Sequence, residues 1–163
     1  MIVLGLDPGT HHFGWGVVRK VGTRLHHIAH GVFDVGKKGE LGERLVAIEI
    51  GLVEVVRLHA PQEASIESLF FAKDAQAAAK LGHARGVALL VCVRAGLPSF
   101  EYAPTRVKKT VTGAGRAEKS QVAQMIKLVL GLVETPRPDA ADALAIAVTH
   151  LQGRSFPSLA ATR

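Results

Sequence analysis

A single cysteine, Cys92, is all the thiol chemistry in this chain. One thiol cannot close an internal disulfide or build a cysteine-based zinc site, and it points to a reducing, cytoplasmic setting. Its neighbours, Val87-Ala88-Leu89-Leu90-Val91 and Val93, mark it as a small buried hydrophobe. Long apolar runs are missing too. The stretch over 87–93 is too short to span a bilayer, and the start, Met1 to Asp7, has neither the basic leader nor the apolar length of a signal peptide, so no membrane partner is expected. Aromatics are few, with six Phe, one Trp and one Tyr, so the adjacent pair Phe70-Phe71 stands out. Acids are also in short supply. Lys and Arg number 20 against 14 Asp and Glu, for a formal net charge of +6. A basic balance on a small chain favours a polyanionic partner, most commonly nucleic acid.

Several of these scarce acids sit in apolar surroundings. Asp7 ends the run Ile2-Val3-Leu4-Gly5-Leu6, and Glu67 ends Ala64-Ser65-Ile66. Asp139 and Asp142 open the stretch running through Ala143-Leu144-Ala145-Ile146-Ala147-Val148. Carboxylates placed there cost several kcal/mol if ionised and unpaired. Shared divalent cations would relieve that cost, which implies metal-dependent phosphodiester chemistry.

The 163 residues show no internal repeat, low-complexity tract or linker. They predict one domain over 1–152, with 153–163 as a flexible tail. Strands are predicted over 2–7, 13–19, 24–35, 63–67 and 98–103, the first three as an antiparallel meander with a break near Lys37-Lys38-Gly39. Helices are predicted over 41–58, 74–95, 118–130 and 138–151, with Gly131 as the stop of the third. Residues 104–117, rich in Lys, Arg and Gly, read as a loop. The fold class is α/β: a mixed sheet of three antiparallel and two parallel strands, flanked by helices.

If the first and fourth strands are parallel neighbours, Asp7 and Glu67 emerge at the same carboxyl edge, where open α/β sheets place their sites. Asp139 and Asp142, three apart, share one helix face. Two carboxylates about 4 Å apart repel by roughly 4 kcal/mol at an effective dielectric near 20. An all-oxygen ligand set suits Mg²⁺, with Mn²⁺ as a substitute, and two such ions about 3.5–4 Å apart can activate a water and stabilise a leaving oxygen. Asp7 is expected to bridge both ions, with Glu67, Asp139 and Asp142 divided between them.

The basic segment contributes Arg106, Lys108, Lys109, Arg116 and Lys119, made supple by Gly113 and Gly115, as contacts to phosphate. Phe70 is expected to wedge against bases and Phe71 to pack in the core. Ala75, Ala78, Ala79, Gly82 and Gly86 form a row of small residues that fits a dimer seam or contact with the sheet. The eight histidines are expected at the surface or in turns.

Together the segments Leu4-Gly5-Leu6-Asp7-Pro8-Gly9-Thr10, Ile66-Glu67 through Phe70-Phe71-Ala72-Lys73 to Lys80-Leu81-Gly82-His83-Ala84-Arg85-Gly86, Ala117-Glu118-Lys119-Ser120-Gln121 and Asp139-Ala140-Ala141-Asp142-Ala143-Leu144-Ala145 resemble the bacterial RuvC Holliday-junction resolvases, of the ribonuclease H-like superfamily. The resemblance runs from residue 2 to about 150. It implies a homodimer that nicks four-way DNA junctions symmetrically, leaving 5′-phosphate ends, in recombination and repair. It implies that Asp7, Glu67, Asp139 and Asp142 bind the metal, that Phe70 enters the junction, and that Lys108 and Lys119 contact DNA. It further implies work beside a junction-binding protein and a branch-migration motor ATPase of the RuvA and RuvB type. Three rivals compete. An ATP-binding lobe of the actin and Hsp70 type shares the phosphate-loop pattern but needs a second lobe. A non-catalytic DNA-binding module leaves the acid quartet idle. A related nuclease acting on RNA is poorly separated by these residues.

Overall fold

The computed structural model describes residues 1–36, 39–68 and 75–153, and the side chains of 75–77 are not described. Five strands form one sheet: β1 (Ile2–Asp7), β2 (His12–Val21), β3 (Arg24–Asp34), β4 (Glu63–Glu67) and β5 (Ser99–Tyr102), in the order β3-β2-β1-β4-β5. β1 to β3 pair antiparallel, whereas β1 with β4 and β4 with β5 pair parallel. The mixed sheet therefore follows the expected pattern. Among the described residues the helices are α1 (Leu41–His59), α2 (Ala75–Arg94), α3 (Pro104–Thr112), α4 (Lys119–Leu130) and α5 (Pro138–Gly153). Of the expected break near Lys37-Lys38-Gly39, Lys37 and Lys38 lie outside the described residues, as do the start of the 74–95 helix at Asp74 and the tail from residue 154 onward.

Strand alternation sorts the core into two layers. Leu4 and Leu6 of β1, with Ala64 and Ile66 of β4, point to the face where Ile48, Leu52 and Val55 of α1 and Ala84 and Ala88 of α2 pack. Val3 and Tyr102 point the other way, against Val107, Val111, Ile126, Leu144 and Val148 of α3, α4 and α5. From Ala143 to Leu151 α5 is buried on every side, as a helix covered by both sheet and helices must be. Cys92 is buried in the α1–α2 layer, where burial pushes its thiol up to about 11.

Two expectations need correction. Residues 104–117 are not all loop, because α3 fills the first nine. Pro104 stands at its start, Val107 and Val111 are buried one turn apart, and Gly113 caps it in the left-handed conformation at φ +80°. Nor are all the histidines at turns or the surface. His150 is buried on α5, with Nε2 2.5 Å from Glu63 Oε2 and Nδ1 2.8 Å from the Tyr102 hydroxyl, so both ring nitrogens are satisfied. Gly131 does cap α4, at φ +63°.

Candidate active site

The alternation that buries Leu4 and Leu6 on one face turns Gly5 and Asp7 to the other, beneath α5. In β4 the same rule turns Glu63 and Glu67 that way, and the Glu63 contact with His150 of α5 marks the face. Leu6 lies opposite Ile66 in the parallel ladder, so Asp7 and Glu67, each one residue further on, end adjacent strands side by side.

α5 brings the other two acids down onto them. It can do so because the strands beneath are stripped of side chains. A Cβ at Gly5 would stand 2.0 Å from the Ala143 carbonyl oxygen, and one at Gly14, the residue paired with Asp7, would stand 2.0 Å from the Asp139 carbonyl oxygen. Asp139 lies in the first turn of α5, where the helix dipole favours a carboxylate.

Asp7, Glu67 and Asp142 line one cavity of about 190 Å³ with Lys108, Lys119, Pro104, Val122 and Ile146. Lys119 Nζ donates to Asp142 Oδ2 at 2.8 Å. Asp139 is outside that lining, though it is near enough to act on the charge of both Asp7 and Lys119. Burial, reinforced by Asp142, Glu67 and Asp139 and opposed by Lys119, pushes the Asp7 carboxyl up to about 8. Burial and Asp142 likewise raise Glu67, while Lys119 and Lys108 pull it down. The hydrogen bond to Asp142 raises Lys119, against the cost of desolvating it, so its ammonium stays charged.

Among the described residues, no three Asp, Glu, His or Cys side chains close on a common point as a finished ligand set. What the site does hold is a surplus of carboxylate oxygen at one sheet edge, offset by two lysines, with neither thiol nor imidazole in the lining. Those are the donors a hard divalent cation takes.

Of the other sequence candidates, Lys109 and Arg116 are exposed and outside the cavity, and Phe70 and Phe71 lie outside the described residues. Two features escaped sequence reasoning. Arg137, just upstream of Asp139, binds Asp34 through both terminal guanidinium nitrogens, at 2.5 and 2.9 Å, and with His12 holds the Asp34 carboxyl well below its usual range. Arg85 reaches the backbone of Glu67. Its motif stood out in the sequence, but no local pattern reveals that contact.

The family model for "Crossover junction endodeoxyribonuclease RuvC" matches residues 3–150. The chain belongs to the RuvC family. A RuvC of Sorangium cellulosum is 58% identical over 156 residues, covering 96% of this chain and 87% of that one. A RuvC of Parvibaculum lavamentivorans is 51% identical, over 93% and 87%. Among solved structures, Thermus thermophilus RuvC in complex with Holliday junction substrate superposes with a TM-score of 0.85 at 38% identity, covering 93% of each chain. The yeast mitochondrial Holliday junction resolvase, at 13% identity and a TM-score of 0.61, shares the fold.

Proposed function

We propose that this RuvC-family chain is a Holliday junction resolvase: a homodimeric, structure-selective endodeoxyribonuclease that makes paired, symmetric nicks in four-way DNA junctions by metal-dependent phosphodiester hydrolysis, leaving 5′-phosphates. The observation that carries this is the meeting of two strand-end acids with Asp142 in one small cavity walled by two lysines. The resolvase names of its relatives supply the substrate class.

Asp7, Glu67, Asp139 and Asp142 would hold the ions, two Mg²⁺ with Mn²⁺ able to substitute, which would supply an activated water and neutralise charge on the leaving oxygen. The chain's own residues do the rest. Asp7, with its raised carboxyl, would have to give up a proton to serve as a ligand, which would link cation loading to proton release. Lys119, held protonated, and Lys108 present fixed positive charge to the scissile phosphate from the cavity wall. Lys109 and Arg116, both exposed, would extend the basic surface for the flanking backbone. Phe70 is the proposed wedge at the junction centre.

A two-fold dimer would set two such sites at a fixed separation, which matches paired cuts on a substrate with its own approximate two-fold symmetry. The RuvA- and RuvB-type proteins are the proposed partners. A bacterial cytoplasm is the proposed setting, supported by bacterial relatives and a lone buried thiol. Among the described residues no helix is long and apolar enough to cross a membrane.

The test is incubation with a labelled four-way junction, a linear duplex and an RNA hairpin, each with Mg²⁺ or with EDTA. Paired nicks on the junction alone, abolished by EDTA, are expected. Equal cutting of linear duplex, or cutting that persists in EDTA, contradicts the reading.

A further inference from the structure

Arg85, on α2, is only 7% exposed, a burial that a guanidinium seldom has without partners. Its Nη1 donates to the backbone oxygen of Glu67 at 2.5 Å, and its Nη2 pairs with Glu101 Oε1 at 2.5 Å. The next amide, Ser68 N–H, donates to the Tyr102 carbonyl oxygen at 2.9 Å. The peptide group joining Glu67 to Ser68 is therefore gripped at both its polar ends, by α2 on one side and β5 on the other. That grip fixes ψ of Glu67, and with it the direction in which the side chain leaves the strand. The guanidinium's two contacts are with the Glu67 backbone oxygen and with Glu101, not with the Glu67 carboxylate. Simple packing does not account for it either. Leu or Met would fill the space without the desolvation penalty of a buried cation.

We propose that Arg85 is a positioning residue of the catalytic centre, which clamps the Glu67 carbonyl, braced by Glu101, so that the Glu67 carboxylate is aimed at the divalent cation. This rests on the reading of Glu67 as a metal ligand given above. Lysine cannot substitute, because a single ammonium lacks the planar fork that reaches a carbonyl and a carboxylate at once.

The test compares wild type with Arg85→Lys and Glu101→Gln. Mn²⁺ binding to the free protein is followed by electron paramagnetic resonance. Single-turnover junction cleavage, junction affinity in EDTA and Tm are measured alongside. Arg85→Lys should weaken Mn²⁺ binding and slow cleavage by roughly 10–100-fold, the scale of an ångström-sized misplacement, while junction affinity in EDTA stays within about twofold. Glu101→Gln, at a residue whose side chain is 55% exposed, keeps the fold and should shift both readouts the same way by a smaller factor. It carries the test alone if Arg85→Lys fails to fold. A lower Tm with Mn²⁺ affinity and rate unchanged is what a merely structural arginine gives, and overturns the proposal. A wild type that neither binds Mn²⁺ nor cuts the junction removes the functional reading itself. A fully active wild type with unaffected variants removes only the role of Arg85.

Discussion

Asp7 carries a strong electrostatic signature. Its carboxyl is raised to about 8 by burial and by three neighbouring acids, so at neutral pH in EDTA the folded protein keeps a proton there that the unfolded chain has released. The sign follows from linkage. Between about pH 4, the ordinary value, and pH 8, the folded state binds more protons than the unfolded one, so metal-free stability falls as pH rises. Asp7→Asn removes that dependence at little cost in shape. In EDTA at pH 8 its Tm should exceed that of wild type by about 2–4 °C for each kcal/mol recovered, a gap that closes towards pH 4. The same variant should bind a four-way junction like wild type and cut it undetectably. Melts by circular dichroism from pH 4 to 8, with a gel cleavage assay, check both. A variant less stable than wild type at pH 8 gives Asp7 a structural role instead.

At the scale of elements, the site depends on how closely α5 lies on the sheet. Gly14→Ala would put a methyl 2.0 Å from the Asp139 carbonyl oxygen, against backbone rather than a flexible side chain. The helix must lift, and overpacking of this kind costs about 1–3 kcal/mol, so Tm should fall by about 2–12 °C. Cleavage by the folded variant should fall as well, because Asp139 and Asp142 ride on the same helix. Activity at the wild-type level in folded Gly14→Ala would mean that α5 does not set the geometry. This contact also marks the limit of what was legible in the chain. β1, β4 and α5 could be read because their mainly apolar runs carry acids at one end, closing β1 and β4 and opening α5, and the parallel pairing of β1 with β4 follows from the crossover rule. α3 was obscured because six of its nine residues are Thr, Lys or Arg in a basic, Gly-rich segment, and its helical signal rests on Val107 and Val111 alone. The Gly14–Asp139 approach and the grip of Arg85 on Glu67 join residues far apart in sequence, so no local periodicity foreshadows them.

For the molecule as a whole, a net charge of +6 coexists with a carboxylate cluster at one sheet edge. On the proposed reading, positive charge would draw the DNA backbone in, and the acids would set apart a single point where cations and a phosphate can meet. The fold serves that division. One face of the sheet is sealed by α1 and α2 as core, and the other brings α3, α4 and α5, with Lys108, Lys119 and the two aspartates, over the ends of β1 and β4. The most direct measurement is anomalous diffraction from crystals of the protein soaked in Mn²⁺. Manganese density held between Asp7, Glu67, Asp139 and Asp142 is the predicted result. Those side chains standing apart, with no ion among them, would contradict the account at its root.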